Sequence, residues 1–161
     1  MNTIAKVLMG IITERMYCWV YQHNILSEYK AEFRKEYSTV DDIHNLTTIV
    51  HLKFKTRKKV YAFFVDFKAA FDKVVGKSLI FKLHAMGVST KMVRFIESVY
   101  NGTYSTVWNG QELSEKFETA SGVKQGCILS PLFFSLYIND LHEYLEGGLQ
   151  VGHLNIRILL Y

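Results

Sequence analysis

The spacing of apolar side chains predicts two amphipathic helices at the start of the chain. Over residues 3–20 apolar residues recur at intervals of three and four, the period of a helix with one buried face. Ser38 and Asp41 have the spacing of a capping box, so a second helix should begin there and continue to about Phe54. Five cations then fall within residues 53–59, for which a solvated loop is favoured over a phosphate contact.

The middle of the chain predicts a buried strand, two helices and a hairpin. Residues 60–65 are apolar without interruption and rich in aromatic and β-branched side chains, which suits a strand buried on both faces. Helices are predicted over residues 78–86 and 90–100, each followed by a glycine-containing stop signal. The Asn109-Gly110 pair lies between two extended stretches and predicts a β-hairpin.

The last third of the chain predicts one apolar helix and a final strand. Serine can cap a helix and proline tolerates its first position, so Ser130 and Pro131 should open a helix that continues to Leu145. An extended segment is predicted over residues 151–161. This mixture indicates a single α/β domain of the α+β type, with antiparallel strands packed on helices. A chain of 161 residues with 49% hydrophobic content can bury a substantial core.

Composition narrows the functional classes only modestly. The net charge of +4 suits a polyanionic partner such as nucleic acid without requiring one. Cys18 and Cys127 lie far apart, and no Cys or His pair has the spacing of a structural zinc site, so we expect reduced, packed cysteines and neither zinc nor haem. No secretory signal and no bilayer-spanning run is present, which predicts an intracellular protein, cytoplasmic or nuclear, with no membrane partner.

The first candidate for chemistry is Asp66, which directly follows the predicted buried strand. A carboxylate there needs a pairing group or a metal, although capping the next turn would explain it equally well. The surrounding string, FFVDFKAAFD over residues 63–72, resembles motif A of reverse transcriptases. The resemblance implies that Asp66 and the carbonyl of Phe67 bind catalytic Mg²⁺, and that Phe71 packs under the incoming sugar and excludes a 2′-hydroxyl. A turn or solvent-facing role is favoured for Asp72.

A second string resembles motif B of the reverse transcriptases of non-LTR retrotransposons of the LINE and jockey kind. It reads GVKQGCILSPLFF over residues 122–134 and continues with YINDL over residues 137–141. A bare glutamine–glycine or serine–proline pair would carry no information, whereas the whole string is specific. The resemblance implies that Gln125 and Gly126 lie against the nascent base pair and the nucleotide.

A third, weaker match lies near the start of the chain. Residues 27–41 resemble the block of the fingers in which an arginine binds the triphosphate, a role that would fall to Arg34 because a guanidinium can engage two phosphate oxygens at once. Lys30 stands where glutamine is usual and Glu32 where glycine is usual, and the added negative charge would oppose a triphosphate. Arg15 is either a further fingers cation or a solvated helix residue.

Together these strings predict a partial reverse transcriptase domain over residues 1–161. Residues 1–58 would form the fingers and residues 59–161 an incomplete palm, with no thumb, and the chain stops at Tyr161 before the paired aspartates of motif C. The family extends a DNA primer on an RNA template with deoxynucleoside triphosphates and two Mg²⁺ ions, and we expect the fragment itself to be inactive. The alternatives are a non-catalytic nucleic-acid-binding or interaction remnant, or a decayed element without function.

Overall fold

The computed structural model describes residues 3–27, 38–102, 104–118, 122–124, 126–151 and 154–156. The chain divides into two compact units, the first comprising Met1–Met16 and Ala69–Tyr137 and the second Tyr17–Lys68 and Ile138–Tyr161.

The described helices are α1 (Thr3–Gln22), α2 (Thr39–Lys55), α3 (Gly76–Ala85), α4 (Thr90–Tyr100), α5 (Ser130–Tyr137) and a short 3-10 helix (Leu141–Tyr144). The described strands are β1 (Tyr104–Ser105), β2 (Phe117–Glu118), β3 (Leu149–Val151) and β4 (Leu154–Ile156). The predicted mixture of helices and antiparallel strands is confirmed. The division into fingers and palm stays a prediction.

The predicted start of α2 is confirmed in atomic detail. The Ser38 hydroxyl accepts a hydrogen bond from the Val40 N–H at 3.1 Å, and the Asp41 carboxylate accepts one from the Ser38 N–H at 3.2 Å. Two N–H groups that the helix cannot satisfy internally are thereby paired. The helices predicted over residues 78–86 and 90–100 are confirmed as α3 and α4.

The predicted hairpin is also confirmed, with a longer loop than its asparagine–glycine pair suggests. Strands β1 and β2 are antiparallel, and an isolated bridge joins Trp108 to Leu113. The Asn109 side chain accepts hydrogen bonds at 2.8 Å from the N–H groups of Gln111 and Glu112. This asparagine therefore closes a four-residue loop through its side chain.

Helices α3, α4 and α5 form the interior of the first unit. Helix α3 packs against both α4 and α5. The fully buried side chains Leu83, Val93 and Phe133 come from the three helices in turn. Helix α5 is the motif B helix, and five of its consecutive residues, 132–136, are buried, so it lies inside the unit instead of on its surface.

The predicted buried strand over residues 60–65 is wrong. Residues 60–67 form no helix or strand, and residues 61–67 are exposed, with Phe63 at 93% exposure. A strand buried on both faces needs neighbouring strands and a covering layer on each side. The described strands pair only with one another, in two separate two-stranded sheets, so none of them supplies that neighbour.

Two other sequence predictions need correction, and a third falls on residues outside the described ones. Helix α5 ends at Tyr137 instead of Leu145. The Asn139 side chain bonds the backbone of residues 25 and 27, and asparagine side chains that bond backbone groups compete with helical hydrogen bonding. The final strand was predicted at the end of residues 151–161, and residues 157–161 lie outside the described residues; before them, β3 and β4 pair as antiparallel strands, which the sequence did not predict. Cys127 is buried as expected, but Cys18 is exposed.

The buried stripe of α1 also differs from the predicted one. Met9, Ile12, Met16 and Val20 are buried, whereas the apolar residues Ile4, Val7, Leu8 and Ile11 are exposed. Because α1 is apolar around much of its circumference, the spacing of its apolar residues does not predict which face of the helix is buried. No helix among the residues that the structure describes is long and apolar enough to cross a bilayer.

Candidate active site

The end of the motif A string and the start of the motif B string lie side by side in the first unit. The Val123 N–H donates to the Phe71 carbonyl and the Gly122 N–H donates to the Val74 carbonyl, each at 2.9 Å. Backbone groups far apart in sequence thus pair with each other. The two strings that carry the family resemblance are therefore joined directly by their main chains.

Gly122 permits this close approach. Its φ is +89°, and a Cβ built on it would lie 2.9 Å from the Cα of Asp72, a distance that real Cβ atoms essentially never show. Asp72 itself lies in a turn in which its N–H donates to the Ala69 carbonyl at 3.1 Å. Both the backbone conformation and the space at Gly122 thus require glycine. The turn role predicted for Asp72 is confirmed.

Phe71 links the motif A turn to the motif B helix. Its ring lies 5.2 Å from the ring of Phe134, centroid to centroid, with the planes tilted by 41°. Such tilted pairs contribute beyond their buried area. Phe71 is half-buried and packs against α5.

The motif B loop is folded back on itself between Lys124 and Ser130. The Lys124 carbonyl accepts from the Ser130 hydroxyl at 2.7 Å and from the Cys127 N–H at 3.1 Å. Gly126 has φ +79°, is exposed, and a Cβ on it would meet nothing within 4 Å. The loop therefore presents the backbone of Gly126 to open space.

That open space is a cleft of about 1290 Å³ in the first unit. Gly126 lines it together with basic and acidic side chains, among them Lys77, Lys124, Asp72, Glu97 and Glu118. Ligand pockets of small molecules and cofactors are typically several hundred Å³ or larger. The cleft is therefore large enough for a nucleotide beside the motif B loop.

A half-buried tyrosine, Tyr100, lies next to the same loop. The ring of Tyr100 packs 5.9 Å from that of Phe133, and the Lys124 ammonium lies 5.8 Å from the Tyr100 ring centroid. Burial raises the pKa of the Tyr100 hydroxyl above its usual 10.0, whereas hydrogen bonding with Ser130 and with the Lys124 backbone acts in the opposite direction. Sequence reasoning did not single out Tyr100, because nothing local distinguishes it from other helical tyrosines.

The other residues of the predicted site are not among the described residues of this part of the first unit. Asp66 and Phe67 are exposed and belong to the second unit. Arg34 and Gln125 lie outside the described residues. The basic residues 55–59 are exposed at and beyond the end of α2, as a solvated loop or a phosphate contact would both require.

Asn139 is a residue whose role the sequence did not reveal. In the second unit its side-chain oxygen accepts from the Ser27 N–H at 2.9 Å and its side-chain nitrogen donates to the Ile25 carbonyl at 2.8 Å. The Asn139 side-chain amide therefore acts as both acceptor and donor for the backbone of this segment. Ser27 is the first residue of the block that carries Arg34, so this asparagine of the YINDL string fixes the start of that block.

The described residues do not by themselves fit a pair of magnesium ions. Two-metal sites are built from several carboxylate oxygens around both ions. No group of three or more His, Cys, Asp or Glu side chains that could hold a metal occurs in the part of the chain that the structure describes. Asp66 and the Phe67 carbonyl would need further acidic ligands.

Comparisons with known proteins place these features in context. The profile of the family described as reverse transcriptase (RNA-dependent DNA polymerase) matches residues 1–161. The probable RNA-directed DNA polymerase from transposon X-element of Drosophila melanogaster is 24% identical over 149 residues, covering 88% of this chain. The RNA-directed DNA polymerase from mobile element jockey of Drosophila funebris is 24% identical over 156 residues, covering 96% of this chain.

A further relative has higher identity over a shorter stretch. The Pol polyprotein from type-2 retrotransposable element R2DM of Drosophila melanogaster is 34% identical over 91 residues, which is 55% of this chain. The chain spans only 15% of the X-element protein, 17% of the jockey protein and 9% of the R2DM protein.

Proposed function

Because the chain belongs to the reverse transcriptase family, we propose that it supplies the nucleotide-facing part of an enzyme that extends a DNA primer on an RNA template. The main-chain junction between the motif A turn and the motif B loop carries this proposal. It sets Phe71 and Gly126 on elements held together by backbone hydrogen bonds, and rigid positioning is what phosphoryl transfer needs from a protein. We assign residues 1–58 to the fingers and residues 59–161 to the palm.

The proposed roles follow the family resemblance residue by residue. Gln125 and Gly126 contact the nascent base pair and the deoxynucleoside triphosphate, and Phe71 excludes a 2′-hydroxyl by bulk. Arg34 engages the triphosphate through its guanidinium fork. Asp66 and the Phe67 carbonyl are ligands of Mg²⁺, which when bound would activate the primer hydroxyl and stabilise the leaving pyrophosphate.

The 161-residue chain alone is proposed to bind nucleotide without polymerising it. This part of the proposal rests on the donor set, since no group of three or more His, Cys, Asp or Glu side chains that could hold a metal occurs among the described residues. Purified chain should give no extension of a DNA primer on an RNA template in magnesium. Magnesium-dependent synthesis that disappears in an Asp66→Asn variant would overturn it.

Nucleotide binding at the motif B loop can be tested with two matched glycines. Gly126 and Gly110 both have positive φ and open space around a built Cβ, so substitution with alanine strains both backbones similarly. We expect Gly126→Ala to weaken binding of a fluorescent deoxynucleotide to the chain–primer–template complex about tenfold, a loss of roughly 1.4 kcal/mol. Gly110→Ala should leave it unchanged. Equal effects of the two substitutions would contradict the proposal.

A second candidate function is nucleic-acid binding without catalysis. The observation that favours it is the exposure of the cations at Lys55, Lys58 and Lys59. Neutralising these three to glutamine should weaken RNA binding and lower its salt dependence, because fewer counterions are then released. The matched control neutralises exposed cations elsewhere, Lys91→Gln, Arg94→Gln and Lys116→Gln. If both triple variants lose affinity equally, the segment has no special role.

A further inference from the structure

We infer that Lys124, Ser130 and Tyr100 are positioning residues that hold the described part of the motif B loop, residues 124 and 126–130, in the conformation that presents Gly126 to the cleft. The inference deepens the proposed function, on which it rests for what the loop binds. We call these three residues the clamp. Because the clamp acts on the conformation of the loop, its effect can be measured without any ligand.

The first part of the clamp is the Lys124 side chain. Its ammonium donates to the Val99 carbonyl at 2.8 Å and lies over the ring of the next residue, Tyr100. Val99 is in the last turn of α4, where carbonyls have no helical partner and a cation is favoured by the helix dipole. Lys124 thus fastens the start of the loop to the end of α4.

The second part is the pairing of the Lys124 backbone. Its carbonyl accepts from the Ser130 hydroxyl and the Cys127 N–H, and the Ser130 N–H donates to the Cys127 carbonyl at 3.1 Å. Ser130 is buried at the first residue of α5. The loop is therefore tied at Lys124, Cys127 and Ser130, and Gly126 lies between two of these tied points.

The third part is Tyr100, which connects the other two. Its ring lies under the Lys124 ammonium, 5.8 Å from the centroid, and its hydroxyl oxygen is buried beside the Ser130 side chain. A residue of α4 and a residue of α5 therefore fix the loop from both sides, and neither needs to touch a nucleotide.

Cys127 offers a local probe of the clamp, with Cys18 as an internal reference. Cys127 is buried within the loop and Cys18 is exposed in the second unit. A buried thiol reacts with an alkylating reagent only when its surroundings open, so its rate reports loop opening. The rate at each cysteine can be followed by peptide mass spectrometry on the full 161-residue chain.

Lys124→Met and Ser130→Ala should each accelerate alkylation of Cys127 by at least about tenfold, the effect of losing one hydrogen bond on a local opening equilibrium. Lys124→Arg, which keeps the cation and the donor, should restore a slow rate. Alkylation of Cys18 should not change. Because Ser130→Ala removes only one oxygen, it keeps the test valid if Lys124→Met folds poorly.

The chain contains matched controls for both substitutions. Lys82 also donates to the last turn of a helix, to the Tyr137 carbonyl at 2.6 Å, and lies 5.2 Å from the Tyr137 ring centroid, but away from the loop. Ser135 is another buried serine of α5. Lys82→Met and Ser135→Ala should leave the Cys127 rate within about twofold of the unsubstituted chain.

The outcomes separate the clamp from the proposed function. Acceleration in the two loop variants alone, reversed by Lys124→Arg, supports the clamp, whereas unchanged rates, or equal acceleration in the controls, overturns it. Repeating the assay with primer–template and a deoxynucleoside triphosphate tests the function instead. Failure of these ligands to slow alkylation of Cys127 in the unsubstituted chain counts against nucleotide binding and leaves the clamp result standing.

Discussion

The residue under the strictest constraint is Gly122, where conformation and space act together. Substitution with alanine places a Cβ against the Asp72 backbone and forces an unfavourable positive φ. We expect Gly122→Ala to lower the free energy of unfolding by roughly 3 kcal/mol, from backbone strain and overpacking combined. Gly110→Ala, with similar φ but open space, should cost only about 1 kcal/mol. Urea unfolding of both variants measures the difference, and equal losses would show that the strings are not in close contact.

Tyr100 predicts a specific dependence of stability on pH. Burial holds the pKa of its hydroxyl above the usual 10.0, so the folded chain retains a proton that the unfolded chain releases near that pH. Stability contributed by the neutral hydroxyl is therefore complete below pH 10 and is lost as the pH rises toward the folded value. Above about pH 10 the unfolding free energy should fall more steeply with pH in the unsubstituted chain than in Tyr100→Phe. Parallel pH profiles would contradict this.

Elements that depend on local signals were predictable, and α2 is the clearest case. It buries only Ile49 of its described side chains, so its stability depends strongly on its capping box. Ser38→Ala should cost about 1 kcal/mol of local stability, seen as faster amide hydrogen exchange in the first turns of α2. Ser38→Asp keeps an acceptor at the cap and should retain protection. Loss of protection in both variants would mean that the cap is not what starts the helix.

Elements that depend on distant partners were not predictable from the sequence. The capping box of α2 and the hairpin turn at Asn109 each depend on hydrogen bonds between residues close in sequence, so the sequence pattern predicted both. The apolar run over residues 60–65 has the composition of a buried strand, but its burial depends on neighbours that composition cannot specify. The end of α5 likewise depends on Asn139 finding the backbone at residues 25–27.

In the candidate site, too, some residues were predictable from the sequence and others were not. The motif A and motif B strings identified Phe71 and Gly126, and the structure brings their elements together through main-chain hydrogen bonds. The contributions of Tyr100 and Lys124 arise from the end of α4 meeting a loop more than twenty residues later, a contact with no sequence signal. The roles of Asp66 and Arg34 stay predictions.

For the whole molecule, the apolar surface near Asp66 has consequences in solution. Tyr61, Phe63 and Phe64 are 80%, 93% and 74% exposed, and contiguous exposed aromatic groups promote association. A net charge of +4 opposes this only weakly at physiological salt. The chain should therefore associate at moderate concentration, increasingly as salt screens its charge.

Removing two of these rings tests that expectation directly. Phe63→Ser with Phe64→Ser should lower the weight-average mass in sedimentation equilibrium, while the unfolding free energy changes by less than about 0.5 kcal/mol, because exposed residues contribute little to stability. The matched control, Phe54→Ser with Phe81→Ser, removes two exposed rings outside the segment and should leave association nearly unchanged. If both pairs reduce association equally, total apolar surface is responsible. If the first pair instead destabilises the chain by several kcal/mol, residues 60–67 contribute to a packed core after all.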